Sequence, residues 1–392
     1  MKPMGDRERV GEEGQATLVV GGGVVGLAIA YELARRGRRV RVVERERPGA
    51  GATDASAGML APISEAGEQA PSLVELGQKS LRRYPELVAR LESETGIACG
   101  YRTEGTLWIA VTRDGRAELE HLGATLERGG HSSCFLGADE VRRREPRLSP
   151  RLLGGLLVDA DHQLDPRALS QSLAAAVRRL GGQITCGVTV TEIVAQGGRV
   201  QGIAGRRGTG ERFETAAAEV VLAAGAWSCR DLRLPVADPG LRPVKGQLLR
   251  LRGERLLDHV VRTREVYLVP RESGELLVGA TQEEVGFDES PTAGAVMELL
   301  RYAWELCPGI HDLELAELCV GLRPVVEDHL PVIGASEVTG LHLALGHYRS
   351  GILLAPITGE LLARSIVEGR PMPELEPFRP RRLAAGPATT GA

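Results

Sequence analysis

The sequence predicts an α/β fold with two domains, one Rossmann-like and one built mainly on an antiparallel sheet. A chain of 392 residues is too long for one compact core, so two domains are the first expectation. Its first segment reads as strand, helix and strand, which is typical of a parallel sheet. Further along, alternating apolar residues on either side of short turns indicate β-hairpins.

The N-terminal unit begins with a short apolar strand, TLVV, at residues 17–20. The segment GLAIAYELARRG (26–37) follows, and its apolar residues recur with the 3.6-residue period of a helix that Gly37 ends. The next strand is RVRVVE, at residues 39–44. The three segments together predict a β-α-β unit at the start of a parallel sheet.

A glycine loop joins the first strand to this helix. Gly21, Gly23 and Gly26 match the pattern GxGxxG in the strand–turn–helix context that dinucleotide binding requires. Gly21 permits the tight turn, Gly23 lets the backbone approach a pyrophosphate, and Gly26 lets helix and strand pack closely. Glu44, at the end of the second strand, can accept hydrogen bonds from ribose hydroxyls. The alternative is a glycine-rich turn that binds no ligand.

The remaining elements are predicted from caps and periodicity. In the helix at 164–182, Asp165 is the N-cap, Pro166 the first helical residue and Gly181 the stop. The other predictions are helical structure around 64–94, a hairpin of VTVTEIV (188–194) and RVQGIAG (199–205), a buried strand within 218–228 that enters a glycine turn, a hairpin at 266–281 that turns near Ser273 and Gly274, and a helix at 351–369 that includes Pro356.

Composition excludes several classes of protein. A net charge of −4 argues against a nucleic-acid-binding protein, and the longest N-terminal apolar run, 18–30, is too short to span a membrane. The cysteines show no CxxC spacing and no accompanying histidine cluster, so we expect reduced, mostly buried thiols in a cytoplasmic protein without a metal site. These cysteines are Cys99, Cys134, Cys186, Cys229, Cys307 and Cys319.

Four further motifs resemble one known family. GATDASAGMLAP (51–62), VVLAAGAWS (220–228), GLRP (321–324) and GHYRSGILLAPITGE (346–360) together resemble the D-amino-acid-oxidase family of flavoproteins. Within that family the glycine oxidases of thiamine biosynthesis match best, and the resemblance covers about residues 17–375. It implies that the dinucleotide is FAD.

The resemblance also implies which residues contact FAD and how the cofactor is attached. A helix that starts at Gly351 could turn its N-terminus toward the flavin N1–C2 carbonyl, where negative charge collects on reduction. Cys319 does not align with the cysteine that attaches flavin covalently in some members, so we expect noncovalent FAD and a core thiol. Besides Gly21, Gly23, Gly26 and Glu44, the implied contacts are Val24, Val25, Arg45, Ala52, Thr53, Ala57, Gly58, Met59, Val190, His347, Tyr348, Arg349, Ser350, Gly351, Ile352 and Leu353.

Arg323 is the first candidate for substrate binding. It lies between Leu322 and Pro324 in an apolar stretch, and a buried arginine requires an anion. The resemblance implies that this anion is the substrate carboxylate, which a guanidinium binds with two hydrogen bonds. The alternative is an internal ion pair with Glu327 or Asp328.

The resemblance implies three more substrate residues. The Tyr267 hydroxyl would reach the same carboxylate, and Arg349 would help to hold the substrate beside the flavin. Gln282 stands where some glycine oxidases carry methionine, which makes the pocket more polar. Related sarcosine oxidases carry a lysine over the flavin. The aligned segment 275–281 has none, and Lys245 has no evident place there.

The implied activity is FAD-dependent oxidative deamination of glycine, small N-alkyl glycines or small D-amino acids. The products would be the imine or glyoxylate and hydrogen peroxide, and the imine could pass to a thiazole synthase. The alternatives are a dehydrogenase for D-amino acids or another amine with an acceptor other than oxygen, and a non-catalytic nucleotide-binding module. We expect a cytoplasmic protein that forms a homo-oligomer, such as a tetramer. We expect no membrane or nucleic-acid partner.

The expected domain division is discontinuous. Residues 15–80, 160–240 and 325–375 would form the FAD-binding domain, and residues 81–159 and 241–324 the substrate-binding domain. Residues 1–14 and 380–392 are expected to be disordered tails.

Overall fold

The computed structural model describes residues 16–66, 69–230 and 232–385. In chain order its strands are β1 (Thr17–Val20), β2 (Val40–Val43), β3 (Met59–Leu60), β4 (Thr106–Ala110), β5 (Cys134–Leu136), β6 (Gly154–Val158), β7 (His162–Gln163), β8 (Gln183–Thr185), β9 (Val188–Gln196), β10 (Arg199–Arg207), β11 (Arg212–Ala216), β12 (Glu219–Leu222), β13 (Arg242–Arg252), β14 (Val260–Arg262), β15 (Tyr267–Pro270), β16 (Glu275–Gly279), β17 (Glu314–Val325), β18 (Val332–Ala335) and β19 (Leu341–Leu345). The α-helices are α1 (Val24–Arg35), α2 (Pro71–Leu81), α3 (Tyr84–Thr95), α4 (Arg113–Arg128), α5 (Ala138–Arg144), α6 (Pro166–Arg179), α7 (Ala293–Leu306) and α8 (Gly351–Glu368).

A six-stranded sheet forms the centre of the first domain. Its strand order is β18-β19-β12-β1-β2-β8, and every pairing is parallel except that of β18 with β19. The predicted β-α-β unit is confirmed as β1, α1 and β2, and α1, α6 and α8 pack together over one face. The predicted helix at 164–182 is confirmed as α6, whose cap Asp165 accepts hydrogen bonds from the N–H groups of Arg167 and Ala168.

A small antiparallel sheet covers the other face of the parallel sheet. Its order is β11-β10-β9, so the predicted hairpin of β9 and β10 is confirmed. Along β1, Val19 packs with the helices, whereas Leu18 and Val20 pack against the small sheet. This alternation follows from the two-residue side-chain period of a strand.

The second domain contains an eight-stranded sheet in the order β17-β13-β16-β15-β14-β4-β6-β5. Its pairings are antiparallel except that of β14 with β4, and the predicted hairpin is confirmed as β15 and β16. Helix α7 packs on one face through Leu299, Ala303 and Leu306. The opposite face packs through Leu248 and its neighbours against the Ala57 segment of the first domain.

Two expected boundaries change. Helix α3 was expected in the substrate-binding domain, but it packs in the core of the first domain and the Tyr84 hydroxyl donates to the Ile352 carbonyl. We therefore propose that this domain boundary lies after Cys99. Residues 380–385 were expected to be disordered but form a short 3₁₀ helix, in which Arg382 pairs with Asp328. The expected tails 1–14 and 386–392 lie outside the described residues.

Two further expectations concern membrane segments and thiols. One helical segment among the described residues, Tyr348–Glu368, is apolar and long enough to span a membrane, but 72% of its apolar window is buried in the protein. Its packing against α1 in the domain core accounts for that apolar character.

All six cysteines are free thiols. The expectation that most are buried is wrong for Cys134 and Cys186, which are exposed, and Cys229 is half-buried.

Candidate active site

A cavity of about 540 Å³ lies between the parallel sheet and the eight-stranded sheet. The glycine loop lines the end beside the parallel sheet, and Tyr267 and Arg323 line the end formed by the eight-stranded sheet. Of the residues predicted from the sequence, the structure brings all except Gly26 to this cavity. They are Gly21, Gly23, Val24, Val25, Glu44, Arg45, Ala52, Thr53, Ala57, Gly58, Met59, Val190, Tyr267, Gln282, Arg323, His347, Tyr348, Arg349, Ser350, Gly351, Ile352 and Leu353.

The glycine loop has the geometry that its spacing predicts. Gly21 has a φ of +106°, and a Cβ at this position would collide with the carbonyl group of Ala223, the residue after β12. A Cβ at Gly26 would collide with the carbonyl oxygen of Gly21. Gly26 therefore lets α1 pack against the loop but does not itself line the cavity.

Backbone hydrogen bonds orient the polar side chains near this loop. Glu44 accepts from the N–H groups of Gly22 (2.6 Å) and Glu46 (2.8 Å), one at each carboxylate oxygen. The Thr53 hydroxyl accepts from the N–H of Val24 at 3.1 Å, at the first residue of α1. The N-terminus of α1, with its positive dipole end, thus opens on a cavity that suits a dinucleotide phosphate.

A second helix N-terminus opens on the same cavity. Residues 350–353, at the start of α8, line it. The adjoining His347 is buried and its Nε2 lies 3.1 Å from the Thr358 hydroxyl. Burial lowers the pKa of His347 to about 4, so this imidazole is neutral at physiological pH. His347 therefore adds no charge, and this segment presents the positive end of α8 and the Arg349 guanidinium to the cavity.

Arg323 has backbone partners but no acidic one. Its Nη1 donates to the carbonyl oxygens of Thr281 (3.0 Å) and Lys245 (3.4 Å). Among the residues that the structure describes, no carboxylate pairs with it: Asp328 binds Arg382 instead, and Glu327 is exposed. The alternative of an internal ion pair is therefore wrong.

Four residues form a row across adjoining strands beside Arg323. Trp108 on β4, Arg262 on β14, Tyr267 on β15 and Gly279 on β16 are directly opposed in register, so their Cβ positions share one face of the sheet. The Arg262 guanidinium lies over the Trp108 ring at 4.4 Å. A Cβ at Gly279 would lie 2.5 Å from the Tyr267 ring, so this glycine provides the space that the tyrosine occupies.

The Tyr267 hydroxyl is a proton donor under physiological conditions. Burial raises the pKa of Tyr267 above its ordinary value, although the positive charge of Arg323 and then of Arg262 acts in the opposite direction. A protonated phenol next to a guanidinium offers two kinds of donor to one anion. This end of the cavity can therefore bind a carboxylate.

An ion pair that no sequence pattern indicates lies at this end of the cavity. Glu65 Oε1 lies 2.8 Å from Arg262 Nη1, and Glu65 Oε2 accepts from Gln69 Nε2 at 3.2 Å. Both Glu65 and Arg262 line the cavity. The two residues are far apart in the chain and no local pattern links them, so only the folded structure reveals the pair.

The loop after β16 carries one predicted substrate residue, Gln282, which contacts another, Arg349, from the segment before α8. The Gln282 side chain accepts a hydrogen bond from Arg349 Nη2 at 3.0 Å, and both side chains are exposed at the cavity. Lys245 is buried and donates from Nζ to the Ser290 carbonyl at 2.6 Å, with Asp288 at 3.4 Å. Lys245 therefore anchors this loop and does not line the cavity.

The same loop contacts the first domain through an aromatic cluster that sequence reasoning also missed. The Phe287 ring lies 5.0 Å from that of Trp227, and the Arg230 guanidinium lies 4.6 Å from Phe287. Arg45 stacks on Trp227 at 4.1 Å, and Trp227 and Arg230 line the cavity. This cluster joins the two domains beside the dinucleotide end of the site.

Cys319 lies in the core, as expected from the sequence. It packs with Leu248, Val269 and Leu277, does not line the cavity, and has a pKa that burial raises. Its sulfur accepts a hydrogen bond from Arg167 Nη2 at 3.6 Å. In the described part of the chain, no group of three or more His, Cys, Asp or Glu side chains could hold a metal ion.

A Rossmann-like sheet, a fitted dinucleotide loop and a carboxylate-binding end in one cavity define a nucleotide-dependent oxidoreductase of the two-domain flavoprotein class. A family model for FAD-dependent oxidoreductases matches residues 17–365, so the chain belongs to this family and FAD is its cofactor. The glycine loop, the two helix N-termini and Glu44 are the groups that fit FAD.

Individual proteins and one solved structure show which members of this family the chain is similar to. The chain is 34% identical to a glycine oxidase of Bacillus licheniformis, over 94% of this chain and 98% of that protein. It is 37% identical to a bifunctional protein ThiO/ThiG of Trichormus variabilis over 95% of its own length, but spans only 56% of that relative. The crystal structure of glycine oxidase from Geobacillus kaustophilus superimposes with a TM-score of 0.85 at 36% identity, over 93% of this chain and 97% of that one.

Proposed function

We propose that this protein oxidises glycine, and also small N-alkyl glycines or small D-amino acids, with FAD. The observation that carries this proposal is Arg323, which reaches the cavity without an acidic partner in the described residues, while the glycine loop lines the same cavity from the other domain. A guanidinium is complementary to the carboxylate of an amino acid. The names of the similar glycine oxidases support the choice of substrate.

In this proposal Arg323 and Tyr267 bind the substrate carboxylate. Thr281 and Lys245 engage only Nη1 of Arg323, which leaves its other donors for the substrate. The Tyr267 hydroxyl adds a donor because its raised pKa keeps it protonated. Gln282 and Arg349 would close the exposed side of the pocket through their hydrogen bond.

When bound, FAD supplies the acceptor for the two electrons and the hydrogen removed from the substrate Cα–H. Holding the carboxylate in one place turns that Cα–H toward the acceptor, and such positioning accounts for much of the rate. The amine must be neutral, and water or a carbonyl oxygen can take its proton. The positive end of α8 favours negative charge at the cavity wall.

The products would be the imine, which water converts to glyoxylate and ammonia, and hydrogen peroxide formed from oxygen. We further propose noncovalent FAD, because Cys319 does not line the cavity. The resemblance supports a cytoplasmic homo-oligomer and transfer of the imine to thiazole synthesis. A relative that carries the name ThiO/ThiG on one chain also supports this link.

A substrate panel tests the proposal. Purified protein should show flavin absorption that bleaches anaerobically with glycine or sarcosine and returns in air with release of peroxide; D-alanine and D-proline complete the panel. Bleaching that air does not reverse, without peroxide, would favour an amine dehydrogenase with another acceptor. A flavin that none of the four compounds bleaches would overturn the proposal.

A further inference from the structure

The ion pair of Glu65 and Arg262 lies at the substrate end of the cavity. Arg262 is directly opposed to Tyr267 in the strand register, and the two members of the pair have side chains only 16% and 13% exposed. Glu65 and Arg262 also both act on the pKa of Tyr267, in opposite directions. The pair therefore lies within electrostatic reach of the tyrosine that we propose to bind the substrate carboxylate.

Contacts on several sides hold the pair in place. Arg262 stacks on Trp108, and Glu65 receives one hydrogen bond from Arg262 and one from Gln69. Within residues 16–66, 69–230 and 232–385, Glu65 is the only carboxylate that pairs with Arg262. Removing Glu65 would leave a largely buried guanidinium facing the cavity, where a charge attracts an anion more strongly than it does in water.

We infer that the Glu65–Arg262 pair sets the charge of substrates that the cavity accepts. The substrate carboxylate binds Arg323, and a second acidic group on the nitrogen or Cα would meet an arginine that Glu65 already neutralises. The Glu65 carboxylate also repels such a group. The pair thus selects glycines with neutral substituents and disfavours dicarboxylic amines such as iminodiacetate. This inference rests on the proposed function, because it concerns the same cavity.

A purely structural role for the pair makes a different prediction. If Glu65 and Arg262 only stabilise the fold, their replacement lowers stability and affects all substrates alike. If they select charge, replacement changes the ratio of activities on two substrates that match in size and differ in charge. That ratio is independent of the fraction of protein that folds, so a poorly folding variant remains informative.

The test compares iminodiacetate with N-(carbamoylmethyl)glycine, its neutral amide counterpart of the same size. We expect Glu65→Gln to raise the ratio of kcat/KM for iminodiacetate to that for the amide by roughly tenfold or more, the effect of one charge-assisted hydrogen bond. Arg262→Gln, which keeps Glu65, should lower that ratio. The double variant should return it toward the wild-type value.

A binding measurement provides an independent readout. Malonate and acetate, added to the oxidised protein, should perturb the flavin spectrum as they occupy the carboxylate site. Glu65→Gln should tighten malonate binding relative to acetate, and Arg262→Gln should not.

The outcomes separate the inference from the proposed function. Wild-type protein that oxidises neither glycine nor sarcosine would overturn the proposed function. Wild-type protein that oxidises them, with unchanged substrate and malonate ratios in Glu65→Gln, would overturn the inference alone.

Discussion

At the scale of single residues, the charged side chains of the site are fixed by backbone groups or by neighbouring side chains. Glu44 is held by two N–H groups and Arg323 by two carbonyl oxygens. Neutral backbone partners orient Arg323 without cancelling its charge. Arg262, in contrast, has its charge cancelled by Glu65. Of these two cavity-lining arginines, Arg323 is therefore ready for an anion, whereas Arg262 is already paired.

Replacement of Arg323 should weaken substrate binding. For Arg323→Ala we expect kcat/KM for glycine to fall by roughly tenfold to 150-fold, corresponding to about 1.5–3 kcal/mol, because a charge-assisted contact is lost. Arg323→Lys keeps the charge without the planar fork and should lose less. Steady-state peroxide release measures both. A Michaelis constant equal to that of wild type would refute the role of Arg323.

Replacement of Gly279 should displace Tyr267. A Cβ in Gly279→Ala would lie 2.5 Å from the tyrosine ring, which must move away from the substrate. We expect kcat/KM for glycine to fall by roughly 10- to 100-fold, as for other small misplacements of binding groups. The matched control is Gly294→Ala, since a Cβ there meets no atom within 4 Å. Equal kinetics in the two variants would contradict this account.

At the scale of elements, the β1–loop–α1 unit depends on close approach of its backbone. Gly26→Ala places a methyl group against the Gly21 carbonyl, which is backbone and cannot move without distorting the loop. We expect about 1–3 kcal/mol of destabilisation and a lower flavin content. Thermal unfolding and the flavin-to-protein absorbance ratio measure these effects. Gly137→Ala, with open space around its Cβ, is the control. Full flavin content in Gly26→Ala would contradict the packing argument.

Helix α8 begins beside the buried His347, which makes its stability sensitive to acid. Burial lowers the pKa of His347 to about 4 in the fold, below the ordinary value near 6.5. As pH falls from about 6.5 to about 4, the unfolded chain binds a proton that the folded protein does not. Stability is therefore lost in this window, by roughly 3 kcal/mol at its lower end. In urea unfolding, the free energy of unfolding of His347→Asn should fall less between these two pH values than that of the wild type. Parallel plots of this free energy against pH for the two proteins would contradict the role of His347.

The sequence predicted elements with strong local signals. Gly21, Gly26 and Gly37 mark the bounds of one unit, and Asp165 with Pro166 marks the start of α6, because caps and tight turns are determined within a few residues. The packing partner of an amphipathic helix is not so determined. The pattern of α3 predicts a helix but does not indicate which core it joins. Because α3 packs with α6 and α8, we propose that it belongs to the FAD-binding domain and not to the substrate-binding domain.

At the scale of the whole molecule, the two domains meet around the cavity. Arg167 on α6 pairs with Asp54 and with Glu317 on β17, so one arginine links the FAD-binding core to the eight-stranded sheet. That contact lowers the pKa of Glu317 to about 2. On another side, Phe287 packs against Trp227. These contacts lie far apart in the chain, so the sequence alone could not predict them.

Loss of the aromatic contact between domains should loosen the cofactor. In Phe287→Ala the ring contacts with Trp227 and Arg230 disappear, and these groups line the cavity. We expect the Kd for FAD to rise by roughly 3- to 10-fold, the effect of one aromatic pair. The increase in flavin fluorescence when the protein is diluted measures this Kd. Val285→Ala removes an exposed side chain from the same loop and serves as the control. Identical Kd values would exclude a role for Phe287 in retaining FAD.

The row of Trp108, Arg262, Tyr267 and Gly279 has a practical consequence for protein engineering. Its members belong to different strands and lie about 4.8 Å apart from strand to strand. Arg262, Tyr267 and Gly279 line the pocket from separate strands, and Trp108 supports Arg262 from a fourth. A combinatorial library at these four positions would alter the shape and charge of the pocket without changing the hydrogen bonds of the sheet. Directed evolution toward bulkier or charged amines could therefore start from a compact set of four codons.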